Sequence, residues 1–258
     1  MNCKNCDTKL ENSKNYCFEC GAKVITKRLT FKSICAEIGD KFFNLDNKLL
    51  KTFLDLFSKP DDVIVNFING TRKKHVNVIQ YFAISLTLVG IQVFLMNTFF
   101  KDAMNMDALF GNKTYGKDNP FSPENFNYEE INNYQSLIYV LSVPLSAFST
   151  WFTYFIVNDR RYNFTEHIVI NLYYSAQVII ISSLTGILFL CLGIDYLVIS
   201  SFITIITLIY LLYVLHKVFK TKLLESISRF ILIMLIYAIF FILIIICSAV
   251  IGYIIAKK

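Results

Sequence analysis

Five stretches of twenty or more residues in this chain carry no Asp, Glu, Lys or Arg: 76–100, 131–158, 167–194, 196–216 and 230–256. About twenty apolar residues make a helix as long as the hydrocarbon core of a bilayer is thick, so each stretch predicts a transmembrane helix. Ahead of them the pattern changes from continuous to periodic. From Thr30, a suitable N-cap, the residues Phe31, Ile34, Cys35, Ile38 and Phe42 recur at helical spacing and predict one amphipathic helix. A second starts at Asp46, with Leu49, Leu50, Phe53, Leu54, Leu56 and Phe57 set against Lys48, Lys51, Asp55 and Lys59. Pro60 ends it and begins a third, carrying Val63, Ile64, Phe67 and Ile68 and stopping at Gly70. Two placements suit these helices: flat in the headgroup plane, or packed on each other as a helical cap. The predicted fold is an all-α membrane protein, with about five transmembrane helices preceded by amphipathic helices and a small N-terminal zinc ribbon.

The ribbon is predicted from residues 1–28, where Cys3, Cys6, Cys17 and Cys20 form two Cys-x-x-Cys pairs ten residues apart. Each pair turns two sulfurs toward one point, and two pairs supply the four thiolates of a closed, structural zinc site. Gly21 suits the tight turn after the last cysteine. So short a segment cannot build a hydrophobic core, so the metal supplies its folding energy, about 10–16 kcal/mol in small fingers. Disulfides or a redox pair are the alternatives, and the regular double knuckle and a reducing compartment argue against them. The segment is polar, without the apolar centre of a cleavable signal. Three domains result: the ribbon at 1–28, the juxtamembrane helices at 29–75 and the transmembrane domain at 76–258.

Composition agrees with a membrane protein, at 55% hydrophobic and 16% aromatic residues. The net charge of +6 matters less than its placement. Residues 1–75 hold fourteen Lys and Arg against nine Asp and Glu, an excess that a zinc-tetrathiolate site, worth about two negative charges, reduces further. With only Lys4, Lys9, Lys14 and Lys23 ahead of the closing Lys27-Arg28, and no aromatic ladder beyond Tyr16 and Phe18, the ribbon is matched to protein contact or structural capping rather than to nucleic acid. Arg72, Lys73 and Lys74 form a basic lip before the first span, Arg160 and Arg161 lie in the second connection, and Lys217, Lys220, Lys222 and Arg229 in the fourth. Basic loops stay cytoplasmic, which predicts an N-terminus inside and a C-terminus outside. The outer connection, 101–130, is rich in Asn and aromatic residues and has six acids against three lysines.

Polar groups inside the spans are few. Glu166 and His167 stand at the entrance of the third span, His167 and Asn171 share a helical face, and Gln177 lies further in. They form the best candidate for a polar intramembrane site; helix capping and interhelical hydrogen bonding are the simpler reading. Pro144 predicts a kink in the second span whose freed carbonyl Ser142 or Ser146 can serve.

The double knuckle, followed by Thr52, Leu56, Pro60, Gly70 and Arg72 and later by Glu166-His167, resembles a family of bacterial zinc-ribbon membrane proteins known only as a domain of unknown function. The resemblance runs in order over most of the chain, although members often carry a tyrosine at the place of His75 and a proline at that of Val78. It implies a multi-pass protein of the inner, cytoplasmic membrane and supplies no activity. The expected function is non-enzymatic: a structural Zn2+ ribbon that recruits or senses a cytoplasmic protein partner, held by spans that meet the lipid bilayer, as an accessory or regulatory part of an envelope or transport complex. A homo-oligomer is compatible with this reading. The alternative is a transporter or channel for a neutral or lipidic solute.

Overall fold

A computed structural model describes residues 2–10, 15–22, 24, 30, 48–100, 132–194 and 196–256. The amphipathic helix expected over 31–42 and the outer connection 101–130 lie outside the described residues. Contacts divide the chain into two units, Met1–Asn47 and Lys48–Lys258. The second and third juxtamembrane helices therefore belong with the membrane body.

The described body is helical throughout. A helix over 48–58 (α1) is followed by α2 (Pro60–Ile68), α3 (Val78–Phe99), α4 (Gln135–Ile156), α5 (Phe164–Cys191), α6 (Tyr196–Phe219) and α7 (Leu223–Ala256). Five of them, α3 to α7, are long and apolar enough to cross a membrane, and the chain is a multi-pass membrane protein on that ground. Three boundaries run past the charge-free windows, one of them the end of α6, which carries Lys217 on to Phe219. Helix α5 begins at Phe164 because Glu166 is the acidic partner of its N-terminal cap, and α7 begins at Leu223 with Glu225 and Arg229 inside it. An absence of charge marks what lipid tolerates, whereas helical hydrogen bonding continues through charged residues that reach water or a partner.

Pro60 is the first residue of α2, where its missing N–H costs nothing. The helix closes at Gly70, whose φ of 98° is left-handed; Gly70 N donates to Phe67 O (3.1 Å) and Thr71 N to Asn66 O (2.8 Å), the paired bonds of a glycine stop. Asn158, at φ 57°, ends α4 in the same way, with Asp159 N donating to Tyr154 O (2.9 Å), and so sets the direction of Asp159.

The spans alternate. Tyr173 Oη donates to Val76 O (2.8 Å), Tyr81 Oη to Gln177 Oε1, and Gln92 lies beside Gly186; early meets early and late meets late, so α3 and α5 are parallel. Ser146 and Thr150 of α4 meet Asn171 and His167 of α5 in the reverse order, and α4 is antiparallel to α5. At one end of the bundle Arg161 donates to Phe219 O (2.5 Å) and Arg229 to Asp159 (2.6 Å). The basic α4–α5 and α6–α7 connections thus share that end.

The core runs from the elbow into the spans: Leu56, Val63, Ile64 and Val76 are buried together with Tyr81, Tyr173, Ala176, Leu211, Val214 and Ile233. Helix α1 is fastened through its backbone. Gln177 Nε2 donates to Phe53 O (3.1 Å), Tyr210 Oη to Leu56 O (3.0 Å) and Tyr213 Oη to Ser58 O (3.1 Å), the last two serving carbonyls of a terminal turn that has no helical partners. Thr52, fully buried, donates from Oγ1 to Lys48 O (2.7 Å) and accepts from Val76 N (3.0 Å).

Candidate metal centre and the polar groups of the body

In the head, backbone turns position the cysteines. Asp7 N donates to Cys3 O (2.9 Å) and Cys3 N to Thr8 O (2.9 Å); fourteen residues on, Gly21 N donates to Cys17 O (3.0 Å) and Cys17 N to Ala22 O (2.8 Å). Asp7 and Gly21 are left-handed, at φ 57° and 69°. The two Cys-x-x-Cys segments are therefore one turn made twice. Cys3 Sγ lies 3.6 Å from Cys20 Sγ, Cys6 Sγ lies 3.6 Å from Cys17 Sγ, and all four sulfurs fall within 4.8 Å of one another. A tetrahedron of thiolates about 2.3 Å from a metal has edges of about 3.8 Å, so the donor set fits a four-coordinate ion. Asn5 N donates to Cys3 Sγ (3.4 Å). The Ala22 N–H and then the Asn5 side chain bring the Cys20 thiol down to about 6, whereas at Cys17 the lowering bond from the Cys20 backbone is outweighed by desolvation and the neighbouring thiols, which push it up to about 11. The buried apolar set here is Cys3, Leu10 and Cys17, with Ala22 and Val24 against it, too small to hold the fold without cross-linking.

The four polar residues singled out in the third span do not form one site. Glu166 is a cap: its N donates to Asn163 Oδ1 (2.9 Å) and its Oε2 accepts from Asn163 N (2.7 Å), a reciprocal capping box. His167 and Asn171 turn inward to α4. Asn171 Nδ2 donates to Thr150 Oγ1 (2.9 Å) and to His167 O (2.8 Å), while Asn171 Oδ1 accepts from Ser146 Oγ (2.6 Å). Thr150 Oγ1 donates to Ala147 O (2.9 Å) and stands 3.2 Å from His167 Nδ1. With the hydroxyl proton so engaged, Nδ1 is the donor of the ring and Nε2 its acceptor. Nε2 is buried without a hydrogen-bond partner, in a ring of Tyr154 and Phe219, themselves stacked at 3.7 Å. Gln177 belongs to the α1–α3 junction described above. Ser142 Oγ donates to Tyr139 O (2.9 Å), one turn from Pro144.

Two charged clusters escaped the sequence because their members are distant along the chain. Asp159 binds Arg161 (2.8 and 2.5 Å) and Arg229 (2.6 Å), and the Arg161 hydrogen bonds foremost, with those of Arg229, hold its carboxyl well below the usual range. Arg229 also lies over the Tyr154 ring, 5.0 Å from its centroid. The basic lip is partly occupied: Arg72 donates to Phe67 O and covers the Phe67 ring at 3.9 Å, and Lys74 pairs with Asp62 at 2.5 Å. That hydrogen bond lowers the Asp62 carboxyl. His75 Nε2 is 2.9 Å from Asp55 Oδ2.

A cleft of about 240 Å³ opens between α4, α5, α6 and α7. Hydroxyls of Tyr139, Ser146, Ser175 and Tyr237 line it beside Leu211 and Met234. His167 is not part of it.

Residues 46–90 match a family described as Protein of unknown function (DUF3667). The match takes in α1, α2 and the first half of α3, including Thr52, Leu56, Pro60, Gly70 and Arg72, and leaves the cysteines and Glu166-His167 outside. No curated protein and no solved structure matches the chain.

Proposed function

We propose that this chain is a non-enzymatic protein of the cytoplasmic membrane whose Cys3, Cys6, Cys17 and Cys20 hold a structural Zn2+, forming a ribbon that recruits a cytoplasmic protein partner. The convergence of the four sulfurs carries this reading. A set of four thiolates closes the coordination of zinc and leaves no position for substrate, so the metal builds a surface rather than a reaction centre. The body is the anchor and an accessory element of an envelope or transport complex. The basic loops on one end support the reading in which that end faces the cytoplasm, with the N-terminus inside and the C-terminus outside.

Zinc content and in-cell cross-linking from the head of the full chain test the reading together. About one zinc per chain is expected, with a cross-linked protein partner that disappears in Cys17→Ser while the helical body remains in the membrane. A metal-free native protein, or cross-linking unchanged by Cys17→Ser, removes the proposal.

The cleft favours a second reading, a body that takes up a neutral or lipidic solute. Its hydroxyls suit an uncharged ligand with few hydrogen-bonding groups. Solute flux into reconstituted vesicles, reduced by Ser175→Phe, is the expected outcome; vesicles without flux eliminate it.

A further inference from the structure

Helix α1 is apolar on a side that the bundle covers only at its end, where the Phe57 ring lies 5.8 Å from that of Tyr210. Leu50, Leu54 and Phe57 follow at i, i+4 and i+7 and are 59%, 53% and 42% exposed, whereas Thr52 and Leu56 on the bundle side are fully buried. On a helical projection Lys48, Lys51 and Asp55 fall together on a third flank, so the helix has a protein side, an apolar side and a charged side. A helix that merely capped a soluble surface would carry charge on its whole outer half.

Its level along the bundle says what meets the apolar side. Helix α3 has 22 residues and rises about 33 Å, close to the hydrocarbon thickness of about 30 Å, so its first turn marks one edge of the bilayer. Helix α5 has 28 residues, about 42 Å, and Val76 at the start of α3 is bonded to Tyr173, about 13 Å from the first residue of α5. At that same level Gln177 holds Phe53 O, Tyr210 holds Leu56 O and Tyr213 holds Ser58 O. Helix α1 is therefore bound to the bundle where α3 enters the membrane. Nearby, Lys74 engages Asp62 and His75 lies against Asp55; over 48–75, Lys48, Lys51, Lys59, Arg72, Lys73 and Lys74 stand against Asp55, Asp61 and Asp62, an excess of three positive charges with His neutral.

We propose that α1 is an interfacial helix: Leu50, Leu54 and Phe57 insert among the acyl chains of the leaflet from which α3 starts, and Lys48, Lys51 and Lys59 meet anionic lipid headgroups. The occupant of this face is the lipid monolayer. An apolar side buried to a shallow depth, flanked by lysines, is the form such helices take, and polybasic surface at that depth gains from anionic lipid. The proposal stands apart from the zinc head and from the cleft.

The test uses the full chain in vesicles of phosphatidylcholine and phosphatidylglycerol, with Trp151→Phe removing the native indole and Leu54→Trp supplying a reporter on an exposed position. Emission is expected to be quenched by lipids brominated near the carbonyl end of the chain, less by lipids brominated near its terminus, and little by aqueous iodide. Lys51→Trp, on the charged flank, is expected to show the reverse and serves as the internal control. Quenching of the Leu54→Trp reporter by iodide overturns the proposal, because the face then stands in water; protection from both quenchers overturns it too, because protein then covers the face. For the headgroup half, Lys48→Gln, Lys51→Gln and Lys59→Gln combined are expected to lower the phosphatidylglycerol enrichment seen with spin-labelled lipids, and unchanged enrichment overturns that half.

Discussion

Thr52 and Asp159 are the single residues on which most local structure depends, and each does so by joining segments that the chain holds far apart. Thr52 gives its proton to Lys48 O and takes that of Val76 N. Thr52→Val keeps the shape but strands a buried N–H, and should cost about 1–3 kcal/mol; thermal unfolding in detergent should show the loss, and Thr52→Ser should restore most of it. A variant as stable as the parent would remove the role assigned to this hydroxyl. Asp159 bridges two guanidinium groups at the basic end. Because its folded carboxyl titrates below the ordinary value of about 3.9, the stability it contributes is present above that value and is lost only as pH falls through its lower, folded titration. Asp159→Asn should destabilise by about 1–3 kcal/mol at neutral pH, since it removes the carboxylate between Arg161 and Arg229 and leaves Arg229, among the described residues, with Glu225 alone, and the difference between variant and parent should persist through pH 5. If the difference vanished well above pH 4, the pairing would not hold the carboxyl down.

Among elements, the α3–α5 contact is the most closely fitted. A Cβ on Gly186 would lie 2.9 Å from Gln92 Nε2 and 3.2 Å from Tyr196 Cε2, so Gly186 lets two parallel spans approach around a buried amide. Gly186→Ala should destabilise by about 1 kcal/mol or more through overpacking, and Gln92→Ala in the same molecule should recover part of that cost, giving a measurable coupling in a double-mutant cycle. Additive effects would place the strain elsewhere. The head is an element of another kind, since its turns repeat faithfully but its apolar set is minimal. Chelation should therefore unfold residues 1–24 and expose them to protease while the helicity of the spans, followed by circular dichroism, stays unchanged. A head that resists protease after complete metal removal would show that something other than the ion holds it.

For the whole molecule the governing facts are the solvent of the spans and the common end shared by the basic connections. A membrane-impermeant thiol reagent should label Arg160→Cys only after cells are permeabilised and Ile194→Cys in intact cells, each scored against the parent protein; the opposite pattern would invert the assigned topology. The sequence by itself determined the five spans, the Pro60 restart, the Gly70 stop and the paired cysteine turns. These depend on local physics: hydrocarbon thickness against charge, and backbone conformations open to particular residues. Tertiary structure alone decided that Glu166 caps a helix while His167 and Asn171 bind α4, and that Gln177 reaches back to Phe53. It also joined Asp159 to Arg229 and seated α1 on the bundle with its second apolar side covered only at its end. Adjacent residues on a helix point in different directions, and their partners come from helices tens of residues away. Spacing along one chain therefore shows which faces are polar, but the packing of several helices selects what each face meets.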